Sequence, residues 1–188
     1  MIVTPRDDLA EISLDSLSSS DRSPGLHVSG LIRRLMQRLE PGKYSDDEPD
    51  ITGVLRMLLG MAFEDKLEWL LDRRWPGRIV RPGEIERDGI VGSPDGVDIN
   101  EERLYEYKLT WMKYEPDLEH QKYWKYIVQI KAYLAMLGWT RACLWIYFVD
   151  GDYRGSGPLL KPFDLEFSQQ ELAEAWAMLL GAREAADA

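Results

Sequence analysis

Two short segments carry the residue types that could do chemistry: Gly92-Ser-Pro-Asp-Gly96 and, shortly after it, Tyr105-Glu-Tyr-Lys108. Side chains alternate faces along a strand, so Glu106 and Lys108 share one face while Tyr105 and Tyr107 take the other. Asn100-Glu101, with or without Glu102, lies between the two runs and suits a hairpin turn. A two-residue loop places Asp95 opposite Glu106, and a three-residue loop places it opposite Tyr107. Either register brings Asp95 near Glu106, because directly paired residues lie ~4.5–5.5 Å apart. Two carboxylates that close raise each other's pKa, and a divalent cation resolves the conflict. Hard carboxylate oxygens suit Mg²⁺, with Mn²⁺ as a substitute. Lys108 beside them can hold or help deprotonate a water and can offset charge on a phosphate. Together these are the parts for metal-assisted phosphodiester hydrolysis.

Pro94-Asp95 followed by Glu106-Tyr107-Lys108 resembles the signature of the PD-(D/E)XK nuclease superfamily. The resemblance implies that Asp95 and Glu106 bind the metal, that the Tyr107 main-chain carbonyl assists, and that Lys108 serves the attacking water. It also implies a further acid on the first core helix. Glu64, in Gly60-Met-Ala-Phe-Glu64, is the counterpart, with Glu68 one turn on as the fallback. Gln129-Ile-Lys-Ala-Tyr133 is similar to a motif of the branch that contains bacterial recombination nucleases and phage lambda-type exonucleases. Lys122, Tyr126, Gln129 and Tyr133 fall at i, i+4, i+7 and i+11, one stripe of the expected third helix, suited to phosphates and bases. The resemblance covers about residues 55–150. Its implied activity is a DNA exonuclease of recombination or repair, phage or bacterial. The alternatives are a structure-specific or restriction-like endonuclease and a non-catalytic descendant that binds DNA or a protein. Relatives that form rings or join larger machines make a homo-oligomer or a recombination partner protein an expectation.

The elements that must position these residues are legible as periodicities. Leu31, Leu35 and Leu39 mark a helix over Gly30–Leu39, with Ser29 as its cap. A second helix runs over Ile51–Arg74, with Leu55, Leu58, Leu59, Ala62, Phe63, Leu67, Leu70 and Leu71 as the expected buried stripe, and Trp75-Pro76-Gly77 ends it. Short strands are expected at Ile85–Arg87, Gly89–Val91, Gly96–Ile99 and Arg103–Leu109. A third helix spans Leu118–Leu137, stopped by Gly138. Ala142–Val149 is an apolar run fit for a strand covered on both faces. Leu159–Phe167, interrupted by Pro162, reads as an edge strand. Ser168 and Glu171 form a capping box for a last helix reaching about Leu180. The class is α/β: a restriction-endonuclease-like core, with a central mixed sheet flanked by helices.

The chain has 188 residues and a net charge of −10. That length suits one domain, expected over 25–188, behind a Ser- and Asp-rich arm over 1–24. The net acidity excludes a nonspecific nucleic-acid coat protein. The charge is uneven, however: −5 over 83–104, but +2 over each of 54–82 and 105–145. Cys143 is the single cysteine, so no internal disulfide forms, and a cytoplasmic setting (a bacterium or a phage-infected host) is expected. Cys143 sits in the apolar run as a small hydrophobe, and His27 and His120 are structural or surface residues. Trp111 and Trp124 flank the proposed site within contact of a base. There is no apolar stretch long enough to span a membrane and no Gly-rich loop with Lys-Ser/Thr, which argues against ATP-driven action by this chain alone.

Overall fold

The computed structural model describes residues 23–41, 50–151 and 157–184. Nearly all of the expected arm, most of the loop after the first helix and the centre of 150–157 lie outside them. In chain order the elements are β1 (Leu26–His27), α1 (Val28–Leu39), α2 (Ile51–Arg74), β2 (Ile85–Arg87), β3 (Ile90–Gly92), β4 (Gly96–Asp98) and β5 (Arg103–Thr110). A single 3-10 turn (Gln121–Tyr123) then leads into α3 (Trp124–Leu137), β6 (Arg141–Phe148), β7 (Leu159–Glu166) and α4 (Gln169–Glu184).

The main sheet has the order β4-β5-β6-β7. β5 and β6 run parallel, which demands a crossover, and α3 supplies it. The other two pairings are antiparallel, so the sheet is mixed. β6 lies inside the sheet, which accounts for its unbroken apolar sequence. β7 lies at the edge, where Pro162 costs no ladder bond to a further strand.

Each face of this sheet has its own core. Leu104, Leu144, Ile146 and Phe148 pack with α1, α3 and α4 on one side. Tyr105, Tyr107, Cys143 and Trp145 pack with Leu67 and Leu71 of α2 on the other. The alternation expected for β5 is therefore real: its even positions face one helical layer and its odd positions the other.

Four expectations are corrected. The short strands do not form one series. β1, β3 and β2 make a separate three-stranded sheet, and the chain passes from it to β4 through Ser93-Pro94-Asp95. Ser29 is inside α1. The N-cap is His27, because β1 pairs with β3 and holds the backbone extended up to that residue. The apolar stripe of α2 is narrower than its leucines suggest. Val54, Leu67 and Leu71 are buried, whereas Leu55, Leu59 and Leu70 are about half exposed. α3 starts six residues later than expected. Before it, Asp117 Oδ1 accepts the Glu119 N–H and His120 Nδ1 accepts the Lys122 N–H, so local side chains take backbone donors that a helix would need.

Gly138 ends α3 in the left-handed region, at φ 75°, as expected of a helix C-cap. The Ser168–Glu171 capping box also forms, with Glu171 Oε2 accepting the Ser168 N–H. No helix among the described residues is long and apolar enough to cross a membrane.

Candidate active site

The site grows out of the point where the β4–β5 ladder stops. Gly96 pairs with Tyr105, Val97 with Leu104 and Asp98 with Arg103. One step further, Asp95 would face Glu106. It has left the strand, and the next outward N–H on β5, that of Tyr107, is therefore without a strand partner. Asp95 Oδ2 accepts it at 2.8 Å. Asp95 is thereby anchored to the backbone between the two residues it must work with.

Glu106 points to the α3 side and is fully buried. Lys108, two residues on and on the same face, donates from Nζ to Glu106 Oε1 at 2.5 Å and stands 3.9 Å from Asp95 Oδ2. The other carboxylate oxygen, Glu106 Oε2, is buried with no hydrogen-bond partner. Burial, then the Asp95 charge, pushes the Glu106 carboxyl up to about 8 despite Lys108. Burial alone would lower the Lys108 ammonium, but Glu106 and Asp95 outweigh it and raise its pKa. Lys108 therefore stays charged and acts as a donor.

Glu64 joins from α2. Its carboxyl is pushed up to about 7, first by burial and next by Asp95, with Lys108 and Arg81 opposing. Glu64 is thus within electrostatic range of Asp95 and Lys108. Glu68 is engaged elsewhere, accepting from Arg81 Nη2 at 2.7 Å, so the fallback residue faces a different partner.

α3 closes the site from the other side. Gln129 Nε2 donates to the Tyr133 hydroxyl at 2.9 Å, and the Tyr133 ring is buried. Burial, then the Glu106 charge, raises the Tyr133 hydroxyl. Tyr126 is buried nearby and lines, with Gln129, Lys125 and Met36, a groove of about 320 Å³ between α1 and α3. Lys122 is not part of the stripe. It lies in the 3-10 turn, donates to the Lys113 carbonyl at 2.8 Å and sits over the Tyr123 ring. The expected four-residue stripe is thus three residues, because the helix begins after Lys122.

Trp111 is about half exposed, with Arg56 of α2 over its ring at 5.6 Å. Trp124 lines a larger groove beside α1 together with Met112 and Lys122. Cys143 is buried, and burial pushes its thiol up to about 11, which removes it as a nucleophile.

Three residues outside the sequence expectations support the site. Asp98 is fully buried and accepts the N–H groups of Asn100 and Glu101, both at 3.1 Å, and the Arg78 Nε at 2.5 Å. Burial works against its ionisation, but these donors prevail and hold its carboxyl below the usual range. It therefore organises the turn that fixes the β4–β5 register. An Asp followed two residues later by Asn is an Asx-turn signal, readable in advance. Arg78 and Arg81 carry no local signal, since their partners are distant in sequence.

Gly92 explains another part of the motif. A Cβ there would lie 2.8 Å from Tyr133 Cε1 and 2.9 Å from Met136 Sδ. Gly92→Ala is expected to displace the Tyr133 ring and to cost about 1–3 kcal/mol. Urea denaturation of the purified chains measures this, and a midpoint equal to that of the parent would contradict it.

The donor set fits a hard divalent cation. It is made of carboxylate oxygens, and one of them is buried and without a partner. The side chains do not form a ready-made cage. Among the described residues, no three Asp, Glu, His or Cys side chains converge closely enough to hold an ion.

Comparison with solved structures bears on the fold. The chain is similar to a phage-related exonuclease from Haemophilus somnus 129PT, with a TM-score of 0.56 and 13% identity over 82% of this chain and 78% of that one. It is similar to the alkaline exonuclease LHK-Exo of Laribacter hongkongensis, with a TM-score of 0.53 and 16% identity over 85% and 86%. The protein SSO0001 matches with a TM-score of 0.56 and 17% identity over 90% and 80%. No family model and no curated protein matches the chain. At these identities the likeness establishes a shared fold, a mixed sheet flanked by helices.

Proposed function

We propose that this chain is a Mg²⁺-dependent deoxyribonuclease, acting on linear DNA as an exonuclease in recombination or repair in a phage or bacterial setting. One observation carries the reading: Asp95, Glu106 and Lys108 meet where β4 leaves β5, on a fold shared with two exonucleases. LHK-Exo has also been crystallised in complex with dAMP, which supports a nucleic-acid substrate for this chain.

Asp95, Glu106 and Glu64 would hold the cation, with the Tyr107 carbonyl assisting. The bound ion would polarise the scissile phosphate and supply a reactive water at neutral pH. The chain's own residues do the rest. Asp95 is fixed by the Tyr107 N–H, so its carboxylate does not have to be ordered when substrate arrives. Lys108 retains its proton, which suits it to donate to a water or to a phosphate oxygen rather than to act as a base. Tyr133 is held by Gln129, and it and Glu106 are both buried, which keeps the local dielectric low.

The test is hydrolysis of end-labelled linear DNA in Mg²⁺, repeated in EDTA and with Asp95→Ala. Turnover is expected only with the ion and the intact aspartate. Persistence of activity in EDTA, or full activity of folded Asp95→Ala, sinks the reading. A closed circular substrate separates the two enzymatic possibilities, because an exonuclease needs an end and a restriction-like endonuclease does not. Mn²⁺ binding measured by calorimetry, without turnover, would make the chain a non-catalytic binder. A stable multimer in sedimentation would support the homo-oligomer expectation.

A further inference from the structure

We propose that Arg81 is a substrate-gripping residue: its guanidinium takes a backbone phosphate beside the bond to be cut, and Glu68 holds it ready when DNA is absent. The inference rests on the nuclease reading of this site and adds a residue to it.

Position comes first. Val80 and Val97 form an isolated antiparallel bridge, with N···O distances of 3.0 and 2.8 Å. The next residue, Arg81, therefore lies level with Gly96, one residue from Asp95. From there Arg81 Nη2 reaches α2, at 2.7 Å from Glu68 Oε2 and 3.8 Å from Asp65 Oδ1. Glu68 follows Glu64 by one helical turn on the same side of α2. The guanidinium is thus bracketed by the two chain segments that deliver Asp95 and Glu64.

Chemistry comes second. Three carboxylates and a strand of DNA repel one another, and the single charge of Lys108 does not offset them all. Lys108 is 16% exposed and already spans Glu106 and Asp95. The Arg81 side chain is 43% exposed, so it stands at the rim where a strand would pass. A guanidinium presents paired donors that match two phosphate oxygens, as they match a carboxylate. Exposed ion pairs of this kind are weak, so a phosphate can take the place of Glu68. The exchange moves no covalent bond. It keeps the arginine paired in both states and prevents it from collapsing onto Asp95.

The experiment uses the full chain and a fluorescein-labelled linear oligonucleotide. Binding is read by anisotropy in EDTA over a range of salt, and kinetics are read in Mg²⁺. Arg81→Ala is expected to weaken binding about tenfold and to make the salt dependence shallower by about one ion. In turnover the loss is expected in KM, with kcat changed less than about threefold. Arg81→Lys is expected to restore the salt slope and only part of the affinity, because a point charge lacks the paired geometry. Glu68→Gln is expected to bind as tightly as the parent or tighter, since it releases the competitor. Wild-type affinity and slope in Arg81→Ala overturn the proposal. So does Glu68→Gln if it weakens binding as much as Arg81→Ala, which would make the pair a structural brace. If Arg81→Ala melts below the assay temperature, the opposed expectations for Arg81→Lys and Glu68→Gln decide the matter. A parent chain that neither binds nor cuts DNA removes the nuclease reading itself. A parent that does both, with an indifferent Arg81→Ala, removes only this inference.

Discussion

Lys108→Ala is expected to cut the rate of DNA hydrolysis by about 10²–10³-fold, the scale set by removing one preorganised donor from a developing charge. The same substitution should destabilise the chain, and the two effects separate by pH. Glu106 is buried and its Oε1 is held by Lys108 at 2.5 Å. Without the ammonium, that carboxylate has no charge partner inside the fold. The cost is expected to be about 1–3 kcal/mol at mildly alkaline pH. At acidic pH Glu106 carries a proton in both chains, so the ion pair is absent from each and the difference shrinks. Urea denaturation at the two ends of this range checks the stability, and single-turnover hydrolysis checks the rate. Glu106→Gln combined with Lys108→Met should recover stability without activity, because a neutral pair needs no desolvated charges. A Lys108→Ala chain that cuts at the parent rate removes Lys108 from the mechanism.

How much of this was readable in advance depended on how local each interaction is. The hairpin is a good example. Of the two registers open from the sequence, the structure takes the one with Asp95 level with Glu106. The turn is wider than either reading, since the ladder ends at Asp98 and Arg103 and Glu102 adopts a left-handed φ of 48°. Register survives a wrong loop length because alternation of faces and the burial of Leu104 and Tyr107 fix it. α2 and the Ser168 box were also legible, for their signals lie within a few residues. Lys122 was misplaced because helical spacing is visible in a sequence, whereas competition from Asp117 and His120 for backbone donors depends on a local fold. Arg78 and Arg81 were invisible because their value comes from Asp98 and Glu68, brought near by tertiary packing. The split into two sheets was invisible for the same reason. β1 has only two residues, and its identity as a strand comes from its pairing with β3.

The metal-free chain is expected to lose stability as pH rises from about 5 to about 8, by a few kcal/mol, and Glu106→Gln is expected to remove most of that loss. The sign follows from the direction of the shift. The Glu106 carboxyl moves from its ordinary 4.5 up to about 8 in the fold, through burial first and Asp95 second. Between those values the folded chain binds a proton that the unfolded chain has released. Stability from this group is therefore complete below about 4.5 and disappears as pH passes through about 8. Glu64, pushed up to about 7, acts in the same direction over the lower part of the window. Lys108 does not add to the slope there. Its raised pKa yields stability that is present below its unfolded value of 10.5 and lost only at higher pH. Denaturation midpoints across the range measure the slope for parent and variant. A divalent cation should reverse the trend, because it binds the ionised carboxylates that the empty fold disfavours. Mg²⁺ is thus expected to stabilise the parent more at pH 8 than at pH 5, and to stabilise Glu106→Gln little at either. A parent-like slope in Glu106→Gln would show that the buried carboxyl is not the group that titrates. An unchanged response to Mg²⁺ would remove Glu106 from the ligand set.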